Sequence, residues 1–273
     1  MTPIEKAKRF RELHERAGVL LIPNPWDGGS ARMLQSLGFE ALATSSGACA
    51  GTYGRVDGRL KREESLASAR QIVSATELPV SADLEGGFGA EPEAAFETVR
   101  QALASGLAGC SIEDFTGDTT RPIFELTQAR ARIAAAAEAA RSTGSAFVLT
   151  ARSDNFLRGV IDLKNAIVRL NAYSDAGADV LFAPCLPDIE AVREVCRSVN
   201  KPVNFMVGIK GKSFSVEELS EAGVKRISFA SSLFRAAMTG ALQAAREIKE
   251  HGTFRYLDTV ITTPDWNAMM TKG

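Results

Sequence analysis

Apolar and polar residues follow two alternating patterns along this chain. Short runs rich in β-branched and other apolar residues, typical of strands, are separated by Ala-, Leu-, Arg- and Glu-rich stretches with helical periodicity. Several helical stretches end at a glycine, which suits a helix C-cap. The predicted strands are Val19–Ile22, Ala41–Thr44, Pro79–Glu85, Gly109–Glu113, Ala146–Arg152, Asp179–Pro184, Pro202–Val207 and Arg226–Ala230. The predicted helices include Ile4–Arg16, Pro92–Ser105, Leu126–Arg141, Leu163–Ala176, Ile189–Val199, Val216–Ala222 and Leu233–His251.

The order of these elements predicts the fold class. Strictly alternating strands and helices imply parallel strands joined by right-handed crossovers. Eight such units favour a closed (β/α)8 barrel, a TIM barrel in the α/β class, over an open sheet. Because no Pro/Gly/Ser-rich linker interrupts the series, we predict one domain over residues 1–273. An N-terminal helix (1–17) and a C-terminal tail (252–273) are its appendages. We expect the tail's apolar side chains to be buried, either within the chain or against another subunit, namely Phe254, Tyr256, Leu257, Val260, Ile261 and Trp266.

Composition narrows the setting of the protein. The chain has 273 residues, of which 45% are hydrophobic, and a net charge of −1 without long runs of one sign, which favours neither nucleic acid nor an anionic membrane. It has no apolar stretch of about 18 residues that would span a bilayer. The charged N-terminus lacks the apolar segment of a signal peptide, and the four cysteines show no C-x-x-C spacing. We therefore expect a soluble cytoplasmic protein with free thiols.

Polar residues gather where the predicted strands end, which is where barrels of this kind carry their chemistry. Charged residues are expected to be absent from the strand bodies. The strand ends and the loops that follow them supply Trp26, Ser45, Ser46, Gly47, Ala48, Asp57, Asp83, Glu85, Glu113, Arg152, Asp154 and Asn204.

The third strand carries the first candidate site. Ser81, Asp83 and Glu85 share one face, because side chains alternate along a strand. Two adjacent carboxylates repel each other, and a hard cation such as Mg²⁺ or Mn²⁺ removes that repulsion. Glu113, on the next strand, completes the predicted metal ligands. The alternative is that these acids pair with an arginine or are solvated.

Arg152 carries the second candidate function. Its planar guanidinium suits a carboxylate or phosphoryl group. Backbone amides at Ser46–Ala48 offer a second place for an anion. The alternatives are an ion pair between Arg152 and Glu113 or Asp154, and an ordinary strand–helix turn at Ser45–Ala48.

Other chemistries are disfavoured. His14 and His251 are the only histidines and lie on predicted helices, which argues against His-based acid–base, triad or zinc chemistry. No lysine ends strands one to six, which argues against a Schiff-base aldolase. Cys49 and Cys185 have no histidine to activate them, and packing roles are favoured. The segment Gly208–Ser213 is interpreted as a solvated loop, since it lacks the first glycine of a P-loop.

Taken together, these segments resemble the isocitrate lyase and phosphoenolpyruvate mutase superfamily from about Pro23 to Gly252. The matching segments are Asn24–Asp27, Ser46-Gly47, Asp57, Asp83–Gly89, Ile112–Asp114, Ala151–Asp154, Ala176–Asp179 and Pro202–Asn204. The resemblance implies a (β/α)8 barrel whose last helix is swapped between subunits of a homodimer or homotetramer. It also implies Mg²⁺ held by Asp83, with Glu85 and Glu113 partly through water. Asp57 would lie near the metal, Arg152 would bind the substrate carboxylate, and the Ser46–Ala48 amides would hold the other end of a 2-oxo acid.

The loop after the fourth strand departs from that family. Isocitrate and methylisocitrate lyases carry K-K-C-G-H there, and the phosphonopyruvate-forming mutases use a Lys and an Asn. Residues Phe115–Phe124 contain no Lys, Cys, His or Asn. The acidic pair is also Asp-x-Glu instead of Asp-x-Asp. Neither named activity is therefore carried over to this chain.

The remaining match predicts an enolate-stabilising lyase. We expect a Mg²⁺-dependent C–C lyase or decarboxylase acting on a small 2-oxo or 2-hydroxy (di)carboxylic acid, with Asp57 as the base where one is needed and with Ser45, Ser46, Asn204 and Trp26 among the substrate-binding residues. The missing loop acid favours an oxaloacetate-type decarboxylase or a simple lyase on small 2-hydroxy or 2-oxo diacids, since decarboxylation leaves an enolate that water can protonate. The alternatives are P–C bond chemistry on phosphonopyruvate and a barrel that binds a keto acid without turning it over.

Overall fold

The computed structural model describes residues 1–271, and within them eight parallel strands form one sheet. The sheet order β1-β8-β7-β6-β5-β4-β3-β2 brings the first and second strands to the two ends of a nearly closed ring. This confirms the predicted (β/α)8 barrel, and each predicted strand is correct to within two residues at either end. The strands are β1 Leu20–Ile22, β2 Leu42–Ala43, β3 Val80–Asp83, β4 Gly109–Glu113, β5 Val148–Arg152, β6 Val180–Phe182, β7 Val203–Met206 and β8 Arg226–Ser228.

Helices follow the strands around the outside of the barrel. The helices are α1 Pro3–Glu15, α2 Gly28–Ser36, α3 Ser46–Thr52, α4 Arg62–Ala75, α5 Pro92–Ala104, α6 Leu126–Arg141, α7 Leu163–Asp175, α8 Ile189–Ser198, α9 Val216–Glu221, α10 Ser232–His251 and α11 Thr263–Thr271. Short 3₁₀ turns lie at Phe156–Arg158 and Arg255–Asp258. Small residues on the facing sides of neighbouring helices, such as Ala95 and Ala136, are fully buried and let these elements pack closely.

The seam between β1 and β2 closes through their flanking residues. The backbone N–H of Ala43 donates to the carbonyl of Pro23 at 3.1 Å. The Asn24 amide donates to the carbonyl of Thr44 at 2.9 Å and accepts from the Phe229 N–H at 2.7 Å. Asn24 therefore joins the ends of β1, β2 and β8, which fixes the rim of the barrel at this point.

The N-terminal helix α1 closes the bottom of the barrel. Thr2 and Glu5 form a capping box at its start. Phe10 is fully buried in a cluster with Ala7, Leu13 and apolar residues of the strands, including Val148. Predicted as an appendage, this helix thus covers the amino-terminal ends of the strands.

The C-terminal region leaves the barrel. None of the 20 residues of α10 is buried, and Phe254 and Leu257 are each 58% exposed. The tail's apolar residues are therefore not buried within the described chain, and their burial against another subunit stays a prediction. The short α11 returns to α2, where Arg32 donates to the carbonyl of Met270 at 2.5 Å. Lys272 and Gly273, also part of the predicted tail, lie outside the described residues. Among residues 1–271, no helix is both long enough and apolar enough to cross a membrane.

Candidate active site

A cavity of about 320 Å³ opens where the strands end. Seven of the predicted site residues line it, namely Ser45, Ser46, Gly47, Asp57, Asp83, Arg152 and Asn204. Trp26, Ala48, Glu85 and Glu113 do not. The charged residues in the lining are three arginines and two aspartates, which favours an anionic ligand: Arg152, Arg226, Arg235, Asp57 and Asp83.

Arg152, the last residue of β5, is surrounded by acids. Its Nη1 lies 3.2 Å from Glu113 Oε2 and 4.0 Å from Asp83 Oδ2, and its Nε donates to Asp154 Oδ1 at 2.5 Å. Burial alone would lower the pKa of Arg152, but the three carboxylates raise it well above its ordinary value. The ion pairs that we considered as an alternative are thus confirmed. Arg152 also lines the cavity and is accessible to a ligand there. Its role in binding a substrate carboxylate stays a prediction.

Asp83, the last residue of β3, is held from three sides. Its Oδ2 accepts from the backbone N–H of Ser46 at 3.3 Å, and its Oδ1 accepts from the N–H of Glu85 at 3.3 Å. The Asp83 backbone N–H in turn donates to Thr44 Oγ1 at 3.0 Å. These contacts fix the carboxylate in the cavity wall, 4.0 Å from the guanidinium of Arg152.

The turn before α3 differs from the prediction in one respect. Ser45 is the N-cap of α3, and its hydroxyl accepts from the Ala48 N–H at 3.4 Å. Ala48 is buried and outside the cavity lining, so its amide is not placed to bind a ligand. Gly47 lies against Asp57, since a Cβ on this glycine would stand 3.3 Å from Asp57 Cγ. The absence of a side chain at Gly47 therefore lets the exposed Asp57 reach the cavity.

The two predicted glutamates lie behind the cavity wall. Glu113 is buried between arginines, with Oε2 at 3.2 Å from Arg152 and Oε1 at 3.3 Å from Arg158. Burial raises the pKa of Glu113 although both arginines oppose the shift. Glu85 adopts a left-handed backbone conformation with φ of 49°. Burial, together with the charges of Asp83 and Asp57, raises its pKa to about 7.

The residues around Asp83 fit a lightly ligated Mg²⁺ site, but not the three-acid site predicted. Among residues 1–271, no three His, Cys, Asp or Glu side chains come together to hold a metal ion. Glu113 has an arginine at each oxygen, which leaves it unsuited to bind a cation. Mg²⁺, however, often takes only one or two protein carboxylates and fills its other positions with water and substrate oxygens. Asp83 suits that pattern, and so does Glu85, which forms no ion pair within residues 1–271. Both ligand assignments stay predictions.

Trp26 is not among the residues that line the cavity. Its ring packs edge-on against Phe234 of α10, with the ring centres 5.7 Å apart, and its role in substrate binding stays a prediction. The strand end itself was correctly located, but the direction of the side chain depends on a helix more than 200 residues later in the chain. Cys49 is buried, and burial raises its pKa to about 12, which agrees with a packing role.

The sequence analysis missed several residues of the cavity. Arg226, the first residue of β8, contradicts the expectation that the strand bodies carry no charge. Arg235, in the first turns of α10, donates to the carbonyl of Gly208, and Gly208 and Ile209 line the cavity although their loop was interpreted as solvated. One signal was present for Arg226: it shares a strand face with Ser228, and two polar residues on one face of a barrel strand indicate a polar interior.

The loop after β4 folds back on itself. Phe115 and Ile123 form an antiparallel bridge, and Thr116 Oγ1 donates to the carbonyl of Arg121 at 2.7 Å. None of the residues Phe115–Phe124 lines the cavity. In this arrangement the loop supplies no acid or base to the site.

Comparison with known proteins finds similar sequences and structures over nearly the whole chain. The family model for phosphoenolpyruvate phosphomutase matches residues 10–249. The 2-methylisocitrate lyase of Aeropyrum pernix is 30% identical over 267 residues, which cover 94% of this chain and 84% of the relative. A candidate lyase/mutase from Burkholderia cenocepacia J2315 is 45% identical, with a TM-score of 0.95 over 97% of this chain and 96% of the other. An oxaloacetate acetylhydrolase in complex with oxalate is 25% identical, with a TM-score of 0.91 over 100% of this chain and 96% of the other.

Proposed function

The chain belongs to the phosphoenolpyruvate mutase/isocitrate lyase superfamily, and on that premise we propose that it is a Mg²⁺-dependent carbon–carbon lyase acting on a small 2-oxo or 2-hydroxy acid. One observation carries the proposal. Asp83, Arg152, Asp57 and the Ser46-Gly47 turn line one cavity, which brings together a carboxylate suited to a cation, an arginine suited to an anion and an exposed carboxylate.

Each of these groups has a separate task in the proposed reaction. Arg152 binds the carboxylate of the 2-oxo acid and holds it beside Asp83. Its positive charge, fixed by Glu113 and Asp154, lies where negative charge develops as the C–C bond breaks. Mg²⁺, when bound through Asp83, supplies a Lewis acid that lowers the energy of an enolate.

The side chains favour decarboxylation or a simple retro-aldol cleavage. Retro-aldol cleavage needs a base for the substrate hydroxyl, and Asp57 is the exposed carboxylate in the cavity lining. Decarboxylation needs none, because loss of CO₂ leaves an enolate that water can protonate. The self-contained loop after β4, which keeps its polar groups away from the cavity, supports the less demanding reaction.

The proposal is tested by measuring pyruvate released from oxaloacetate and phosphate released from phosphonopyruvate, each with Mg²⁺ and with EDTA. We expect Mg²⁺-dependent pyruvate release, and D83A should abolish turnover and Mg²⁺ binding together. D175N, which changes an exposed aspartate on α7, should behave like the wild type. Turnover that persists in EDTA would contradict the metal's role. Phosphate release without pyruvate release would instead favour P–C chemistry.

We also propose that the chain forms a homodimer or homotetramer through α10. The apolar residues Met238, Leu242 and Ile248 of this helix are 45%, 50% and 40% exposed, an arrangement that suits a second copy of the chain. Light scattering after size-exclusion chromatography should give at least twice the mass of the chain. L242D should reduce the mass to that of a monomer, whereas K249D, at an exposed charged position of the same helix, should not.

A further inference from the structure

Arg226 lies at the floor of the cavity, at the opposite end of its strand from the residues discussed so far. It begins β8, whereas Arg152 ends β5, and the strands of the barrel are parallel. Arg226 is only 4% exposed, yet it is part of the cavity lining. The guanidinium is thus enclosed by protein, and the side on which it is open is the cavity.

The hydrogen-bond partners of Arg226 are neutral. Its Nε donates to Asn204 Oδ1 at 2.8 Å, and its Nη1 donates to His14 Nε2 at 3.4 Å. His14 Nδ1 donates to the carbonyl of Phe10 at 2.7 Å, so the ring accepts from Arg226 only when it is uncharged. Burial and the charge of Arg226 lower the pKa of His14 to about 3, which keeps the imidazole uncharged at neutral pH. Within the described residues, no Asp or Glu lies in ion-pair contact with Arg226.

A buried arginine without an opposite charge is unusual, since buried charges are normally paired. Burial lowers the pKa of Arg226 to about 9, whereas the acids around Arg152 raise the pKa of that residue. The position therefore lacks one negative charge. The open cavity in front of it is the place from which that charge can be supplied.

Neighbouring polar groups complete a binding site for an anion. Ser228 Oγ lines the same cavity and accepts from the Asn204 amide at 3.0 Å. Its own hydroxyl hydrogen donates to no residue of the described chain, so it is available to a ligand. The Nη2 group of Arg226 likewise has no hydrogen-bond partner among residues 1–271. Two donors, one of them charged, thus remain at the floor.

We propose that Arg226 and Ser228 form a second anion subsite that binds the far acidic group of the substrate. This inference rests on the proposed function, in which Arg152 binds the first carboxylate. It makes the substrate class a dianion, with a carboxylate at the rim and a second carboxylate or a phosphonate at the floor. A monocarboxylic 2-oxo acid leaves the charge of Arg226 unpaired and binds more weakly.

The test compares ligands that differ in one acidic group. 2-Oxovalerate and 2-oxoglutarate have the same carbon skeleton, and 2-oxobutyrate and oxaloacetate form a second pair that is shorter by one carbon. Calorimetric titration with Mg²⁺ present should show at least a tenfold tighter Kd for the diacid in one of the pairs. R226M should bring that ratio to about one and leave the monoacid Kd unchanged, and R226K should retain part of the preference. Titration with an analogue that carries a phosphonate in place of the far carboxylate shows which of the two acidic groups the floor binds more tightly.

Two further variants separate binding from folding. S228A should reduce the ratio about two- to fivefold without removing a buried charge. K6M removes another buried cation, one that donates to the carbonyl of Thr76 and lies outside the cavity, and it should leave the ratio unchanged. The subsite is refuted if the wild type shows no diacid preference in either pair, or if R226M and K6M alter both members of a pair equally. Absence of turnover with the preference intact would overturn the proposed function alone.

Discussion

The two buried arginines of the cavity, Arg152 and Arg226, have opposite surroundings. Arg152 contacts Asp83, Glu113 and Asp154 at 4.0, 3.2 and 2.5 Å, and its positive charge is compensated before any ligand binds. Arg226 contacts an amide oxygen and a neutral imidazole. The rim of the cavity is therefore an assembled charge network, whereas the floor carries an unpaired positive charge.

This difference changes what each arginine contributes. Removing one member of a buried charge network leaves the others uncompensated, which is strongly destabilising. Removing a buried charge that has only neutral partners relieves a desolvation cost. Arg152 should thus matter for folding and for chemistry, whereas Arg226 should matter mainly for the choice of ligand.

The largest effect is expected at the rim. R152M should lower the free energy of unfolding by roughly 3–5 kcal/mol, because Glu113 and Asp154 remain buried with Arg158 as the one cation left to pair with both of them. It should also reduce kcat/KM by roughly 10²–10³-fold through loss of charge stabilisation. Urea unfolding and steady-state kinetics measure the two effects.

A matched surface variant provides the control for R152M. Arg193 pairs with Glu190 on the outside of α8, where exposed pairs contribute about 0–1 kcal/mol. R193M should accordingly stay close to the wild type in both measurements. If R152M unfolds no more readily than R193M, the rim network does not stabilise the barrel and the contrast with the floor fails.

The same contrast shows how far sequence alone reaches. All eight strands could be placed, because apolar runs alternate with helical periodicity, and Asp83 and Arg152 followed from their position at strand ends. Trp26 and Ala48 lie outside the cavity lining, where they contact Phe234 and Ser45, and their roles at the site stay predictions. Long-range packing of this kind leaves little local signal.

Arg226 was missed for a related reason. A charged residue at the start of a predicted strand is ordinarily assigned to the solvent-exposed edge. Here α1 covers that end of the barrel, and His14 on this helix lies against Arg226. The contact joins residues 212 positions apart, so the strand face that Arg226 shares with Ser228 indicates a polar interior but not that α1 encloses the guanidinium.

An intermediate effect is expected from His14. Its pKa is lowered to about 3 in the folded chain and is near 6.5 when unfolded, so below pH 6.5 the unfolded state binds a proton that the folded state does not. The contribution of His14 to the free energy of unfolding should therefore be complete above pH 6.5. It should fall between pH 6.5 and 3 by up to about 1.4 kcal/mol per pH unit. H14Q does not titrate and should lack this part of the slope in urea unfolding.

The comparison between wild type and H14Q removes the contribution of the carboxylates. Acids throughout the chain also titrate in this range, but they do so in both proteins, so only the difference between the two curves reports on His14. Parallel curves would mean that His14 is protonated in the folded state. The floor would then hold two adjacent positive charges instead of one.

The smallest effect is expected for R226M, and it decides the comparison. Loss of the unpaired charge favours folding, whereas Asn204 Oδ1 loses its donor at a cost of about 1–3 kcal/mol, so the two changes largely cancel. The free energy of unfolding should move by no more than about 1–2 kcal/mol, well below the loss for R152M. At one fixed concentration, a dicarboxylate should then raise the Tm of the wild type by more than that of R226M, because R226M still binds the ligand at the rim but with a weaker Kd. Equal stabilisation of both proteins would mean that the ligand is held at the rim alone, and the floor arginine would be a structural link between α1 and the barrel.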